Sequence, residues 1–138
     1  MANPRVKIFK FSMFLLILFG IFVSCIYFQS LNGRKVKQAN LEIQEEKLKN
    51  AIKIFKALDG SYPDLNGNEN SLVEVKTDKG VSFAYIYGSD KLESLPESRK
   101  KSVKESNKIT SKKTDTGGWH YIKETGLIEP NMPENPYK

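Results

Sequence analysis

Cysteine and histidine are almost absent from this chain of 138 residues, which holds one of each, Cys25 and His120. One cysteine excludes an internal disulfide. A single histidine, with no cysteine after residue 25, excludes a histidine-rich metal site and a Cys/His catalytic pair in the rest of the chain. No Gly-x-Ser-x-Gly turn occurs either. We therefore expect no enzyme activity, no cofactor and no metal, and we interpret His120 as a strand residue on the solvent side.

Acidic residues are absent before Glu42, and the run Phe11–Phe28 carries no charge. Its length corresponds to about 27 Å of helix, close to the hydrocarbon thickness of a bilayer. A cleaved signal peptide has a shorter apolar core followed by small residues, whereas this run continues through Ile26, Tyr27 and Phe28. The run therefore predicts a single transmembrane helix over residues 11–28 that is retained as an anchor.

Arg5, Lys7 and Lys10 make residues 1–10 a short basic tail. Signal anchors with a basic N-terminus leave it in the cytoplasm, which predicts a protein of the inner (cytoplasmic) membrane with an extracytoplasmic C-terminal domain. The whole chain has a net charge of +6, half of it in this tail. The remaining basic residues are nearly all lysine, so no specific nucleic-acid partner is expected.

Proline is absent between Pro4 and Pro63, so the helix can continue from the membrane into water. Residues 29–60 predict an amphipathic helical stalk that ends at Gly60. Its apolar positions recur at helical spacings and form one stripe: Leu41, Leu48, Ile52, Phe55 and Leu58.

Residues 61–138 predict an extracytoplasmic head. Val81–Tyr87 is the best strand candidate because it is rich in β-branched and aromatic residues, and Leu72–Lys76 predicts a shorter strand. Residues 89–116 are polar, and their part from Arg99 to Lys113 holds seven basic residues and one acidic residue. With almost nothing apolar to bury, residues 89–116 predict a mobile loop or a poorly packed helix.

A hairpin follows Gly117 and Gly118, with predicted strands Trp119–Ile122 and Leu127–Glu129. The connection ends in Gly126, which suits a type I turn closed by a left-handed residue. Trp119 and Tyr121 share one strand face, which we expect to lie on the apolar stripe of the stalk. The fold class is therefore α+β, with a long N-terminal membrane-anchored helix packed against a small three- or four-stranded antiparallel sheet.

These elements together resemble type IV pilins and the pseudopilins of type II secretion. The resemblance covers about three quarters of the chain, and it rests on a long helix that ends in a Gly-x-Tyr-Pro turn and on a C-terminal hairpin. It is carried by the following residues: Asn50, Ala51, Phe55, Gly60, Tyr62, Pro63, Gly117, Gly118, Trp119, Tyr121 and Gly126. The resemblance implies a structural component of a secretion, pilus or DNA-uptake assembly, whose partners are other pilin-like subunits that it contacts through its membrane helix and head.

The sequence departs from that family at its start. Family precursors have a glycine before a Phe-Thr-Leu-Ile-Glu-like segment that a prepilin peptidase cleaves, and no such site occurs here. The glutamate that the family uses inside the membrane is also missing. These departures favour a divergent minor pseudopilin, or a pilin-like domain on an uncleaved anchor, over a main fibre subunit.

Three other interpretations compete with parts of this prediction. Phe22–Cys25 resembles a loose lipobox, so the alternative function is a membrane-anchored lipoprotein, lipidated on Cys25, that binds a ligand or the envelope. Asp64–Asn70 alternates carboxylate and amide side chains as calcium loops do, although Val75 stands where the loop needs glutamate. The exposed basic segment could also touch anionic lipid or DNA, but it lacks aromatic residues for stacking on bases.

Overall fold

The computed structural model describes residues 4–98, 102–134 and 137. The chain divides into two compact units, Met1–Val36 and Lys37–Lys138. The elements in chain order are helix α1 (Pro4–Asp59), helix α2 (Phe83–Tyr87), and strands β1 (Ile109–Thr110), β2 (Trp119–Ile122) and β3 (Leu127–Pro130). The fold is broadly α+β, as predicted.

Helix α1 begins inside the predicted basic tail, at Pro4, a residue that suits the first position of a helix because its missing N–H would be unpaired there. It passes through the predicted span without a break. All side chains from Met13 to Phe28 are exposed, and this part of the helix is long and apolar enough to cross a membrane. The first three residues of the tail lie outside the described residues.

In the second unit, α1 buries most of the predicted stripe. Leu41, Leu48, Ile52 and Phe55 are buried, whereas Leu58 is 44 % exposed. The last two steps of the stripe are three residues each, and every such step turns the side chain by about 60° around the helix. Leu58 is therefore carried off the buried face.

The strand predicted at Val81–Tyr87 is wrong over its last five residues, which form α2. The Ser82 hydroxyl accepts a hydrogen bond from the backbone N–H of Tyr85, and Gly88 ends the helix in a left-handed conformation. A helix brings residues four apart onto one face, so the rings of Phe83 and Tyr87 lie 6.2 Å apart. On that face the Phe83 ring also lies 6.0 Å from the ring of Phe55 on α1. The strand predicted at Leu72–Lys76 reduces to a single bridge between Lys76 and Ser82.

The sheet has the order β1-β2-β3. Strands β2 and β3 form the predicted antiparallel hairpin, with Tyr121 opposite Ile128. Strand β1 pairs with β2 in parallel, so the prediction of a fully antiparallel sheet is wrong. Residues 111–118 join β1 to β2, and this connection is longer than the tight turn of a hairpin, so the chain can return and enter β2 in the same direction as β1.

Strand β1 lies inside the segment 89–116 that was predicted to be a mobile loop. This segment contributes four buried side chains to the core, namely Leu92, Leu95, Val103 and Ile109. Backbone hydrogen bonds in both directions join Leu95 to Ser106. The described part of the segment is therefore mostly loop, as expected, but it packs on the core and contains β1, which the prediction did not include. Arg99, Lys100 and Lys101 lie outside the described residues.

One core unites the stripe of α1, helix α2 and the sheet, and Trp119 and Tyr121 belong to it together with Phe55. His120 is also buried, with 9 % of its surface exposed, so the prediction that it faces solvent is wrong. The C-terminal segment joins the same core through Met132 and Tyr137. The Tyr137 hydroxyl donates to the carbonyl oxygen of Pro96 at 2.8 Å, and burial raises its pKa to about 12.

Candidate functional site: the turn–hairpin junction

The candidate site is the turn–hairpin junction, formed where Gly60–Pro63 leave α1 and meet the turn between β2 and β3. Gly60 has a φ of +83°, and its N–H donates to the carbonyl oxygen of Lys56 at 2.8 Å, which confirms the predicted left-handed end of the helix. The Asp59 carboxylate accepts hydrogen bonds from the Ser61 hydroxyl and the Asp78 backbone N–H. These two bonds lower the pKa of Asp59 and fix the start of the turn.

Tyr62 lies between the end of α1 and the hairpin turn. The Lys56 ammonium lies 3.9 Å from the centre of its ring. On the other side the ring approaches Gly126, where a Cβ atom would collide with it. Gly126 also has a φ of +68°, so the turn needs glycine both for its backbone conformation and for the space that Tyr62 occupies.

Pro63 is fully buried, and its carbonyl oxygen accepts a hydrogen bond of 2.8 Å from the hydroxyl of Tyr121 on β2. Burial raises the pKa of Tyr121, and the nearby Asp64 carboxylate raises it further. The hydroxyl therefore remains a donor across the whole physiological pH range. An exposed ion pair of 2.9 Å between Lys123 and Asp64 lies beside this bond.

An open cleft of about 490 Å³ lies at the junction. Its lining is mostly polar and includes Asp59, Tyr62, Asp64, Glu74, Lys76 and Lys123. Asp59 and Asp64 already have the hydrogen-bond partners described above. The cleft thus places both signs of charge on an open surface.

The Asp64–Asn70 loop directs its side chains to separate partners. The Asn68 amide donates to the carbonyl oxygen of Asp64, and the Asn70 side-chain oxygen accepts from the amide of Asn107. Within residues 4–98, 102–134 and 137, no group of three or more histidine, cysteine, aspartate or glutamate side chains is arranged to hold a metal. The loop is explained by its own turns and contacts.

The structure brings together five of the motif residues at the junction, namely Gly60, Tyr62, Pro63, Tyr121 and Gly126. Ala51, Phe55 and Trp119 lie in the core, and Asn50 is exposed on α1. Gly117 and Gly118 precede β2, where Cβ atoms would collide with the carbonyl oxygens of Lys104 and Lys108. Cys25 is exposed on α1 in the first unit, away from these residues in the sequence.

Asn131 is a fully buried residue whose role the sequence did not reveal. Its side-chain oxygen accepts from the backbone N–H groups of Thr114 and Asp115 at 2.8 and 2.9 Å. Its amide donates to the hydroxyl of Thr114 at 3.0 Å. Asn131 therefore ties the end of β3 to the segment that follows β1.

Glu129 forms a second link between these segments. One of its carboxylate oxygens lies 3.1 Å from Nδ1 of His120, its partner in the register of β2 and β3, and 3.0 Å from the ammonium of Lys113. The hydrogen bonds from His120 and then Lys113 lower the pKa of Glu129. This arrangement explains why the histidine can be buried on the hairpin, because a ring nitrogen has a polar partner there.

Comparison of the sequence with known protein families and with curated proteins, and of the structure with solved structures, found no match.

Proposed function

We propose that this chain is a pilin-like structural component of a type II secretion, type IV pilus or DNA-uptake assembly. Residues 11–28 anchor it in the inner membrane with the N-terminus in the cytoplasm, and the unit after Val36 forms an extracytoplasmic head. Its work is mechanical, because the membrane helix packs beside other such helices while the head contacts partner subunits.

One observation carries this proposal: the Tyr62-Pro63 turn contacts the C-terminal hairpin at Tyr121 and Gly126. This turn follows the end of a continuous helix whose first half is apolar. The motif residues are separated by almost 60 positions in the sequence, yet they meet at one point. If the short motifs matched the family only by coincidence, there would be no reason for the turn motif to contact the hairpin motif. The contact therefore supports the resemblance as a structural one.

The anchor is tested by expressing the full chain in bacteria and extracting the membranes with alkaline carbonate. We expect the chain to stay in the membrane pellet. Leu18→Arg, near the middle of the span, is expected to reduce this fraction, since arginine at the centre of a span costs about 2.5–3.5 kcal/mol of insertion free energy. Gln29→Arg, just beyond the span, is the matched control, and equal loss from both variants would argue against the anchor.

The assembly role is tested by placing a photo-crosslinking amino acid at Tyr85, which is 84 % exposed on α2. The proposal predicts crosslinks to other small, single-span proteins with an apolar N-terminal helix, identified by mass spectrometry. Crosslinks confined to unrelated proteins would contradict it. The intact mass of the same purified chain distinguishes the pilin-like protein from the lipoprotein alternative. A lipoprotein would lack residues 1–24 and would carry the added mass of a lipid on Cys25.

A further inference from the structure

Residues 93–97 form a short segment outside the helices and strands, and we call this segment the strap. Within the described residues, two backbone hydrogen bonds pair it with the rest of the head, because Leu95 donates to Ser106 at 2.9 Å and accepts from it at 3.1 Å. Leu95 precedes Pro96, and a residue before proline favours the extended conformation that such pairing needs. The Leu95 side chain is fully buried, so the middle of the strap reaches the core.

Two side chains of α1 locate the strap beside Leu41. The Gln44 amide donates to the Glu93 carboxylate at 2.9 Å, and the Lys37 ammonium donates to the carbonyl oxygen of Glu97 at 3.5 Å. The strap therefore runs in the opposite direction to α1. Seven helical residues rise about 10 Å, which four extended residues can span. Leu41 lies between the two contacts and is 5 % exposed, so the strap lies over the first buried residue of the stripe.

Tyr137 joins the strap to the C-terminal segment. Its hydroxyl donates to the carbonyl oxygen of Pro96 at 2.8 Å and lies 3.8 Å from the sulfur of Met132. Tyr137 is buried, with 6 % of its surface exposed. Because Pro96 follows Leu95 directly, this bond fixes the strap at the point where its buried side chain enters the core.

The closed strap also leaves a polar group without a partner. The side-chain oxygen of Gln44 is buried, and no donor among the described residues reaches it. A buried acceptor without a donor costs free energy, and water can hydrate this oxygen when the strap moves away. Opening the strap therefore costs less than the loss of its other contacts alone.

We propose that Tyr137 is a clasp that controls local opening of the strap, and that opening exposes Leu41 and Leu95 while the hairpin stays folded. Segments with few backbone hydrogen bonds open at a lower free energy than central strands. The strap is such a segment and lies at the first buried residue of the stripe, whereas β2 is the central strand of the sheet. The clasp does not rest on the proposed function, because all of its contacts lie within the second unit.

Hydrogen exchange of the full-length chain in detergent micelles, read by mass spectrometry, tests the clasp. After correction for intrinsic rates, we expect the amides of Leu95 and Ser106 to exchange about tenfold faster than those of β2 and β3. Tyr137→Phe removes the hydroxyl and keeps the ring, so exchange at Leu95 and Ser106 should rise about fivefold while β2 and β3 keep their rates. Tyr85→Phe, at an exposed site, is the matched control and should change neither rate.

An equal rise in β2 and β3 would show that Tyr137 stabilises the whole head, and it would overturn the clasp. The absence of any rise in Tyr137→Phe would overturn it as well.

Thiol labelling tests the exposure of α1 separately. Leu41→Cys and Leu48→Cys, each combined with Cys25→Ser, replace two buried leucines of the same helix and are treated with a maleimide in micelles. We expect the Leu41→Cys chain to react about tenfold faster, and Tyr137→Phe to raise its rate about fivefold without changing that of Leu48→Cys. Equal rates at the two positions would overturn local opening, and the crosslinking test at Tyr85 would still decide the proposed function.

Discussion

The hydroxyl of Tyr121 donates a hydrogen bond of 2.8 Å to the carbonyl oxygen of Pro63, across 58 positions of sequence. Both residues are fully buried. The bond satisfies a carbonyl group that the rigid turn after α1 cannot pair locally, and it fixes the hairpin to the end of the long helix. The turn–hairpin junction is therefore held in part by this hydrogen bond, and removing the Tyr121 hydroxyl oxygen tests it.

Tyr121→Phe removes that atom and leaves the Pro63 carbonyl oxygen buried without a donor. We expect a loss of about 1–3 kcal/mol in the free energy of unfolding, with the fold retained. The measurement is urea unfolding of the full chain in detergent micelles, followed by the fluorescence of Trp119, the single tryptophan of the chain, which is 1 % exposed. Tyr85→Phe, at an exposed site, is the matched control, and an equal loss from both would contradict the assignment.

Gly126→Ala tests the fit between the hairpin turn and Tyr62. The new methyl group meets a φ of +68° and also the Tyr62 ring. Gly67→Ala is a close control, because Gly67 has a φ of +76° but open space around it. Both variants carry about 1–2 kcal/mol of backbone strain. We expect Gly126→Ala to lose about 1–3 kcal/mol more than Gly67→Ala through overpacking.

The same unfolding assay measures this difference, and a second substitution identifies its source. Tyr62→Ala combined with Gly126→Ala is expected to lose less than the sum of the two single variants, since the methyl group no longer meets a ring. Additive losses would mean that the two residues do not contact one another.

The long helix, its glycine end and the hairpin were all predictable because their signals are local. An uncharged run, a helical apolar period, and glycine followed by proline each act within a few residues of the structure they specify. The junction itself was not predicted, because no local pattern brings Tyr62 onto Gly126.

Helix α2 and strand β1 were not predicted because long-range packing decides them. The residues of α2 favour a strand by composition, but Phe83 and Tyr87 reach the same side of the core only when they are a helical turn apart. The two residues of β1 are held by β2 and by the Glu69 side chain, whose carboxylate accepts from the Ile109 N–H at 3.4 Å. The polar residues around β1 predicted a mobile loop or a poorly packed helix. In the structure the backbone N–H groups of Thr114 and Asp115 donate to the side chain of Asn131.

Phe55→Ala and Leu58→Ala test which side of α1 carries the core. Phe55 is 2 % exposed and its ring lies 6.0 Å from that of Phe83 at a tilt of 52°, whereas Leu58 is 44 % exposed. We expect Phe55→Ala to lose about 3–5 kcal/mol in the free energy of unfolding through a cavity. Leu58→Ala should lose about 1 kcal/mol or less. Equal losses measured in the unfolding assay would show that the helix presents another face to the head.

The pH dependence of stability should report the link between Glu129, His120 and Lys113. The folded-state pKa of Glu129 lies below its ordinary value of 4.5, so the carboxylate stabilises the fold above that pH, and this stabilisation is lost as the pH falls through the folded-state value. Glu129→Gln should therefore lower stability at pH 7 and flatten the loss of stability below pH 4.5. Because 34 % of the side chain is exposed, we expect the effect to weaken in high salt.

Unfolding midpoints between pH 3 and pH 7 measure this effect, with Glu124→Gln as the control at an exposed position of the same hairpin turn. Glutamine keeps a side-chain oxygen that can accept from Lys113 and His120, so the difference between wild type and variant isolates the charge. If Glu129→Gln followed the wild-type pH profile, the carboxylate would contribute no charge-dependent stability, and Asn131 would be left as the link between β3 and the segment after β1.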